Sequence, residues 1–122
     1  MNNEVLNAIK TRRSIRKYKA EQITDEQLDA ILEAGTYAAT GMGKQSPVIV
    51  VVQKPELIAK LSKMNAAVMG TTSDPFYGAP TVLIVLAAPA RGTYVEDGSL
   101  VMGNLMLAAH AVGVDSCWIL RA

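Results

Sequence analysis

Apolar positions along the chain fall into three patterns, and each predicts a different element. Between Glu4 and Lys10, the spacing of Val5, Leu6 and Ile9 puts them on one face and predicts a short helix. A longer helix is predicted through "ITDEQLDAILEAGTYA". Thr24 suits its N-cap, Gln27 completes a capping box, and Asp25 and Glu26 favour the positive end of the helix dipole. Leu28, Ile31, Leu32 and, less strictly, Tyr37 form its apolar stripe, with Gly35 near its end. Continuous apolar runs predict buried strands at Val48–Gln53 and Thr81–Ala87. Between them, Pro55 suits the first turn of a helix running to about Met69, where its missing N–H costs nothing. "TGMGKQSP" and "GTTSDPFYGAP" read as loops by composition.

The third pattern is a helix from about Asp97 to Val112, "DGSLVMGNLMLAAHAV", that is apolar almost all round. Such a helix must be covered on several sides. In a short chain, a second subunit is one source of that cover. "DSCWIL", Asp115–Leu120, reads as a final strand after a turn at Gly113. The order α-α-β-α-β-α-β predicts an α/β sandwich with a mixed sheet. That apolar strand is followed only by Arg121 and Ala122, so the pattern predicts one domain over 1–122 that lacks its C-terminal portion.

Composition narrows the functional classes. The chain has 122 residues, half of them hydrophobic, and a formal net charge of +1. This is a globular composition, and the charge argues against general affinity for nucleic acid. The single cysteine, Cys117, excludes an intrachain disulfide. The N-terminus lacks a signal pattern and the apolar runs are too short to span a bilayer, so a soluble, cytoplasmic protein away from membranes is the expectation. His110 and Cys117 make a poor metal site, and no nucleophile elbow appears. "GMGKQS" lacks the second spaced glycine of a phosphate-cradling loop. His110 reads as a core or interface histidine, Cys117 as structural, and Met102 and Met106 as packing.

Charge, however, is unevenly placed. "KTRRSIRKYK", Lys10 to Lys19, holds Lys10, Arg12, Arg13, Arg16, Lys17 and Lys19, six of the twelve basic residues, and no acid. Arginine's planar fork matches phosphate oxygens, and the hydroxyl of Ser14 adds a polar contact. In extended geometry Arg12, Ser14 and Arg16 share one side, and Tyr18 supplies a semi-buried anchor. Spacing alone leaves an anion or nucleotide site and a plain charged surface both open.

"AIKTRRSIRKYKAEQITDEQLDAILEAGTYAAT" resembles the N-terminal part of the FMN-dependent nitroreductases, with its R-R-S-x-R-x-[FY] run followed by an acidic-capped helix. "GMGKQSPVIVVV" and "DPFYGAPTVLIVLA" are similar to the family's strand entries. "DGSLVMGNLMLAAHAVGVDSCWI" resembles its long interface helix and a G-x-x-S-x-W-type strand. The similarity runs from about Asn3 to Leu120.

The resemblance implies an α+β fold, a three-layer α/β sandwich with a mixed, mainly antiparallel sheet, in a homodimer with FMN at the interface. By position, Arg12, Arg13 and Ser14 would hold the FMN phosphate and ribityl chain, and Arg16 would lie near N1 and O2 of the flavin. Asn65 would bond the pyrimidine edge. Ala39, Thr40 and Gly41 would cover the flavin from the partner subunit, and the backbone around Leu120 and Arg121 would approach N5. The implied activity is ping-pong reduction of nitroaromatic, quinone or related small-molecule acceptors, with NADH or NADPH as hydride donor. There would be no catalytic side chain as such, because the chemistry is the cofactor's. The rival expectation is a non-catalytic dimer that binds FMN for storage or sensing. Gly43, Ser46 and Pro47 depart from the family's strand-entry loop, which bears on substrate preference.

Overall fold

A computed structural model describes residues 1–120. Its helices are α1 (Glu4–Thr11), α2 (Asp25–Thr36), α3 (Pro55–Met69) and α4 (Tyr94–Ala111), and its strands are β1 (Val48–Val52) and β2 (Val82–Leu86). A single 3₁₀ turn, Gly41–Gly43, lies between α2 and β1. This is a mixed α+β fold.

Local chemistry accounts for the helix ends. The Thr24 hydroxyl accepts from the Gln27 N–H at 3.0 Å, and Gln27 Oε1 accepts from the Thr24 N–H at 2.9 Å, which is a complete capping box. Pro55 begins α3, and Gly70 ends it in the left-handed region at φ 71°. Helix α1 has a cap that its apolar spacing did not indicate: Asn3 Oδ1 accepts from the Leu6 N–H at 2.9 Å.

Helices α2 and α4 run antiparallel and form the centre of the molecule. Ile31 and Ala38 meet Val101, Leu105 and Ala109, all 3–4% exposed, with Ile49, Leu83 and Val85 of the sheet packed against them. At Gly35 the two helices pack too tightly to admit a side chain. A Cβ there would lie 2.7 Å from Leu105 Cδ2 and 2.9 Å from Ile49 Cδ1. Polar links flank this contact at intervals of two helical turns. Gln27 Nε2 donates to Val112 O at 3.1 Å, Asn104 Nδ2 donates to Ala34 O at 2.9 Å, and the Gly41 N–H donates to Asp97 Oδ1 at 2.8 Å. The chain leaving α2 therefore continues along α4 towards its N-terminal end.

Strands β1 and β2 pair antiparallel in the register Val48↔Leu86 to Val52↔Val82. The faces alternate, so Ile49, Leu83 and Val85 reach the core while Val48, Val50 and Leu86 stay exposed.

Two sequence expectations are corrected. Residues Asp115–Leu120 do not form a strand; the one pairing there is an isolated parallel bridge, Ser14↔Ser116, with the Ile15 N–H donating to Ser116 O at 3.1 Å. A strand exists only through a ladder, and an apolar run without a pairing neighbour beyond one residue has none. Helix α4 begins at Tyr94, three residues before the expected start at Asp97. No helix among the described residues is long and apolar enough to cross a membrane.

The loop after α3 is pinned by one carboxylate. Asp74 accepts from the Ser62 hydroxyl at 2.7 Å and from the N–H groups of Phe76 and Gly78 at 2.9 and 2.7 Å. Burial pushes this carboxyl up, but the three hydrogen bonds outweigh it and hold it below its ordinary value of 3.8. The stabilisation is therefore complete above that value and is lost as the pH falls through the lower folded one. Because Asp74 is largely exposed, screening limits the gain to about 0.5 kcal/mol. In urea titrations at several pH values, Asp74→Asn is expected to lower the midpoint slightly at pH 7 and to converge on wild type at acid pH. A constant gap across the range would exclude the linkage.

Candidate functional site

The basic stretch leaves α1 as an irregular, mostly solvent-facing segment held at several points. At its start, the Thr11 hydroxyl donates to Asn7 O at 2.8 Å and lies 2.9 Å from His110 Nε2. Its hydrogen is committed to the carbonyl, so Nε2 is the donor to Thr11 Oγ1. His110 thus has a partner and ties α1 to the C-terminal end of α4. Further on, the Ser14↔Ser116 bridge keeps the backbone extended. The Tyr18 hydroxyl donates to Ile15 O and closes the segment into a turn. Burial pushes the Tyr18 phenol up to about 12, with Cys117, Asp115 and Tyr77 adding to the effect and Arg16 opposing it, so the hydroxyl remains a neutral donor at physiological pH.

The arginines of this stretch differ in their engagement. Arg13 Nη1 donates to Lys10 O and Arg12 O at 2.9 and 2.8 Å, so it caps the C-terminal carbonyls of α1. Arg16 and Ser14 are exposed. Arg12 is half-buried, and its Nη1 is shielded from solvent without a hydrogen-bond acceptor among the described residues. A buried guanidinium nitrogen without an acceptor carries an uncompensated desolvation cost. An anionic ligand oxygen would remove it. The residues present therefore fit an anionic group such as the phosphate of FMN.

The second group of expected site residues sits on the loop between α2 and β1. Ala39 is exposed, while Thr40 and Gly41 are half-buried. The Gln45 N–H donates to Thr40 Oγ1 at 3.0 Å and Gln45 Nε2 to Ala38 O at 3.2 Å, which closes the loop on itself. Met42 and Gln45 hold φ of 54° and 51°, in the left-handed region that costs non-glycine residues about 1 kcal/mol each. Asp97 fastens this loop to α4, and the sequence did not single it out. Its one signal was position: an acid followed by no Asp, Glu, Lys or Arg until Asp115.

Asn65 and Leu120 fall in a third place. Both line a wide, largely apolar groove of about 1130 Å³ bounded by α2, α3, β2, α4 and the segment after α4. Arg121 lies outside the described residues. No group of three or more His, Cys, Asp or Glu able to hold a metal occurs among the described residues.

The structure does not bring the first two groups together within one chain. The arginine stretch is tied to α4 at His110 and the loop at Asp97. At 1.5 Å per residue, those anchors are roughly 20 Å apart along the helix.

The Nitroreductase family profile matches residues 9–74. A protein of Methanothermobacter thermautotrophicus, provisionally named NADH dehydrogenase/NAD(P)H nitroreductase, is 32% identical over 94% of this chain and 60% of its own length. The chain thus spans 60% of that relative. An Archaeoglobus fulgidus protein with the same name is 33% identical over 95% of this chain and 67% of its own. Among solved structures, a Bacteroides fragilis nitroreductase with bound FMN superposes with a TM-score of 0.91 at 34% identity, covering 97% of this chain and 70% of its own. A Desulfitobacterium hafniense nitroreductase with bound FMN gives 0.83 at 31% identity, covering 93% and 68%.

Proposed function

The chain belongs to the nitroreductase family, and we propose that it is the greater part of an FMN-dependent NAD(P)H oxidoreductase that reduces nitroaromatic, quinone or related acceptors by two electrons. The protein is a cytoplasmic homodimer in which each subunit is a three-layer α/β sandwich. The single observation that carries the reading is the buried Arg12 Nη1, which lacks an acceptor among the described residues and lies in the R-R-S-x-R run by which the sequence resembles the FMN-dependent nitroreductases.

FMN, when bound, supplies the redox chemistry, a hydride exchange at N5 with NADH or NADPH and then with the acceptor. The chain's own residues bind and tune. Arg12, with Arg13 and Ser14, holds the phosphate and ribityl chain. Arg16 would place a positive charge near N1 and O2 of the flavin and so favour its reduced, negatively charged form. Asn65 would bond the pyrimidine edge, and the backbone near Leu120 would approach N5; the part expected of Arg121 falls outside the described residues. Ala39, Thr40 and Gly41 cover the flavin of the partner subunit. The separation of their anchor from that of the arginines along α4 supports this sharing between subunits.

The test is the visible absorption spectrum of protein expressed from its complete reading frame, before and after anaerobic NADH or NADPH. We expect a flavin spectrum that bleaches and returns on adding a quinone. A flavin spectrum that persists with both donors would favour the non-catalytic binding protein. A colourless protein that FMN cannot reconstitute would overturn both.

A further inference from the structure

We propose that Asp97 is the positioning residue for the Ala38–Gln45 loop, fixing from α4 the backbone that covers the flavin; this rests on the flavin-binding reading above. Asp97 is 2% exposed and, among the described residues, is the one charged side chain that is buried. It caps no amide of its own helix: its backbone N–H donates to Thr93 O at 2.8 Å, and its carboxylate oxygens are taken by Gly41 and Thr93. Instead the carboxylate leaves the helix. Oδ1 accepts from the Gly41 N–H at 2.8 Å, and Oδ2 accepts from the Thr93 hydroxyl at 2.9 Å. The Thr93 hydroxyl thus orients the carboxylate that grips the loop.

Steric fit at the contact is specific as well. A Cβ at Gly41 would stand 2.2 Å from Thr93 Oγ1 and 3.1 Å from Thr93 Cβ. Only a residue without a side chain lets the loop's amide reach the carboxylate while the hydroxyl stays in place. Past Gly41 the loop is closed by Gln45 on Thr40 and Ala38. Asp97 therefore supplies the attachment to the helix, and Gln45 supplies the loop's internal closure. A charge-assisted hydrogen bond in a water-excluded setting is stronger than a neutral one, and removing the acceptor strands a backbone donor.

Two measurements on the full-length dimer test this. The first is amide hydrogen exchange at Gly41 in flavin-free protein, with Ile31 and Leu105 amides as core controls. The second is the FMN dissociation constant from fluorescence titration. Asp97→Leu, close in shape but without an acceptor, is expected to speed Gly41 exchange and weaken FMN binding, each by roughly tenfold, with the core controls unchanged. Asp97→Asn should restore both, because its amide oxygen can accept from Gly41 while its NH₂ faces Thr93 Oγ1. Should Asp97→Leu not fold, Gly41→Ala asks the same question from the loop, since its Cβ must push the loop off the carboxylate. Gly41 exchange at the wild-type rate in folded Asp97→Leu, or with that variant absent, unchanged exchange at Gln45 in Gly41→Ala, would overturn the proposal. So would faster exchange with FMN affinity unaltered. If wild type itself binds no FMN, the flavin reading and the loop's role in it both fall, while the exchange arm still reports whether Asp97 orders the loop.

Discussion

Replacing Arg12 with methionine is expected to weaken FMN binding by roughly 10- to 100-fold while the flavin-free protein melts no lower than wild type. The two effects have one cause. Nη1 of Arg12 is shielded from solvent and lacks an acceptor among the described residues, so the free protein carries a cost that methionine, with a similar stem and no charge, does not. A phosphate oxygen supplies the missing acceptor, and a hydrogen bond between charged groups contributes about 1.5–3 kcal/mol. Fluorescence titration with FMN and thermal melts of the flavin-free variant read the two halves separately. Unchanged FMN affinity would remove Arg12 from the phosphate site. A large drop in melting temperature would show that the guanidinium supports the fold instead.

Leu105→Ala is expected to be the most destabilising of the simple core truncations, at about 3 kcal/mol. Leu105 is 3% exposed and packs its Cδ2 over Gly35 of α2, where no side chain would fit. Gly35 has no side chain that could swing in to fill the space. Leu105 also borders the wide groove, which gives water a route to the new cavity and places the cost mid-range. Against a total stability of about 5–15 kcal/mol for a typical domain, that loss is large. Urea unfolding should show a lower midpoint with the slope retained. A change under about 1 kcal/mol would mean that the α2–α4 contact is not central to the fold.

How far the sequence reveals the structure depends on whether a feature is local. The Thr24–Gln27 capping box, Pro55 at the start of α3 and the apolar run of β1 are written in consecutive residues and appear as expected. The first turn of α4 was not readable, because the Thr93 hydroxyl is turned to Asp97 and gives no cap to its own helix. The apolar run Asp115–Leu120 carries strand composition, but composition cannot provide a pairing neighbour, and only Ser116 forms a bridge. In the candidate site, the arginine motif was conspicuous as a charge run. That Arg13 is engaged with carbonyls while Arg12 Nη1 has no acceptor among the described residues depends on the path of the backbone after α1. Asp97 was the hardest to see, since its partner lies 56 positions away.

Strand β1 also bears on how the polypeptide survives its own synthesis. Val48–Val52 is a run of β-branched residues with neither charge nor proline, and its own Val48 and Val50, like Leu86 opposite Val48, are exposed apolar side chains. Such a segment is the kind that nucleates cross-β association when it emerges unpaired. Lys44 and Pro47 stand before it, and Lys54 and Pro55 after it. The prolines that shape the loop and open α3 thus also act as gatekeepers, limiting growth of an intermolecular ladder from either end of the strand.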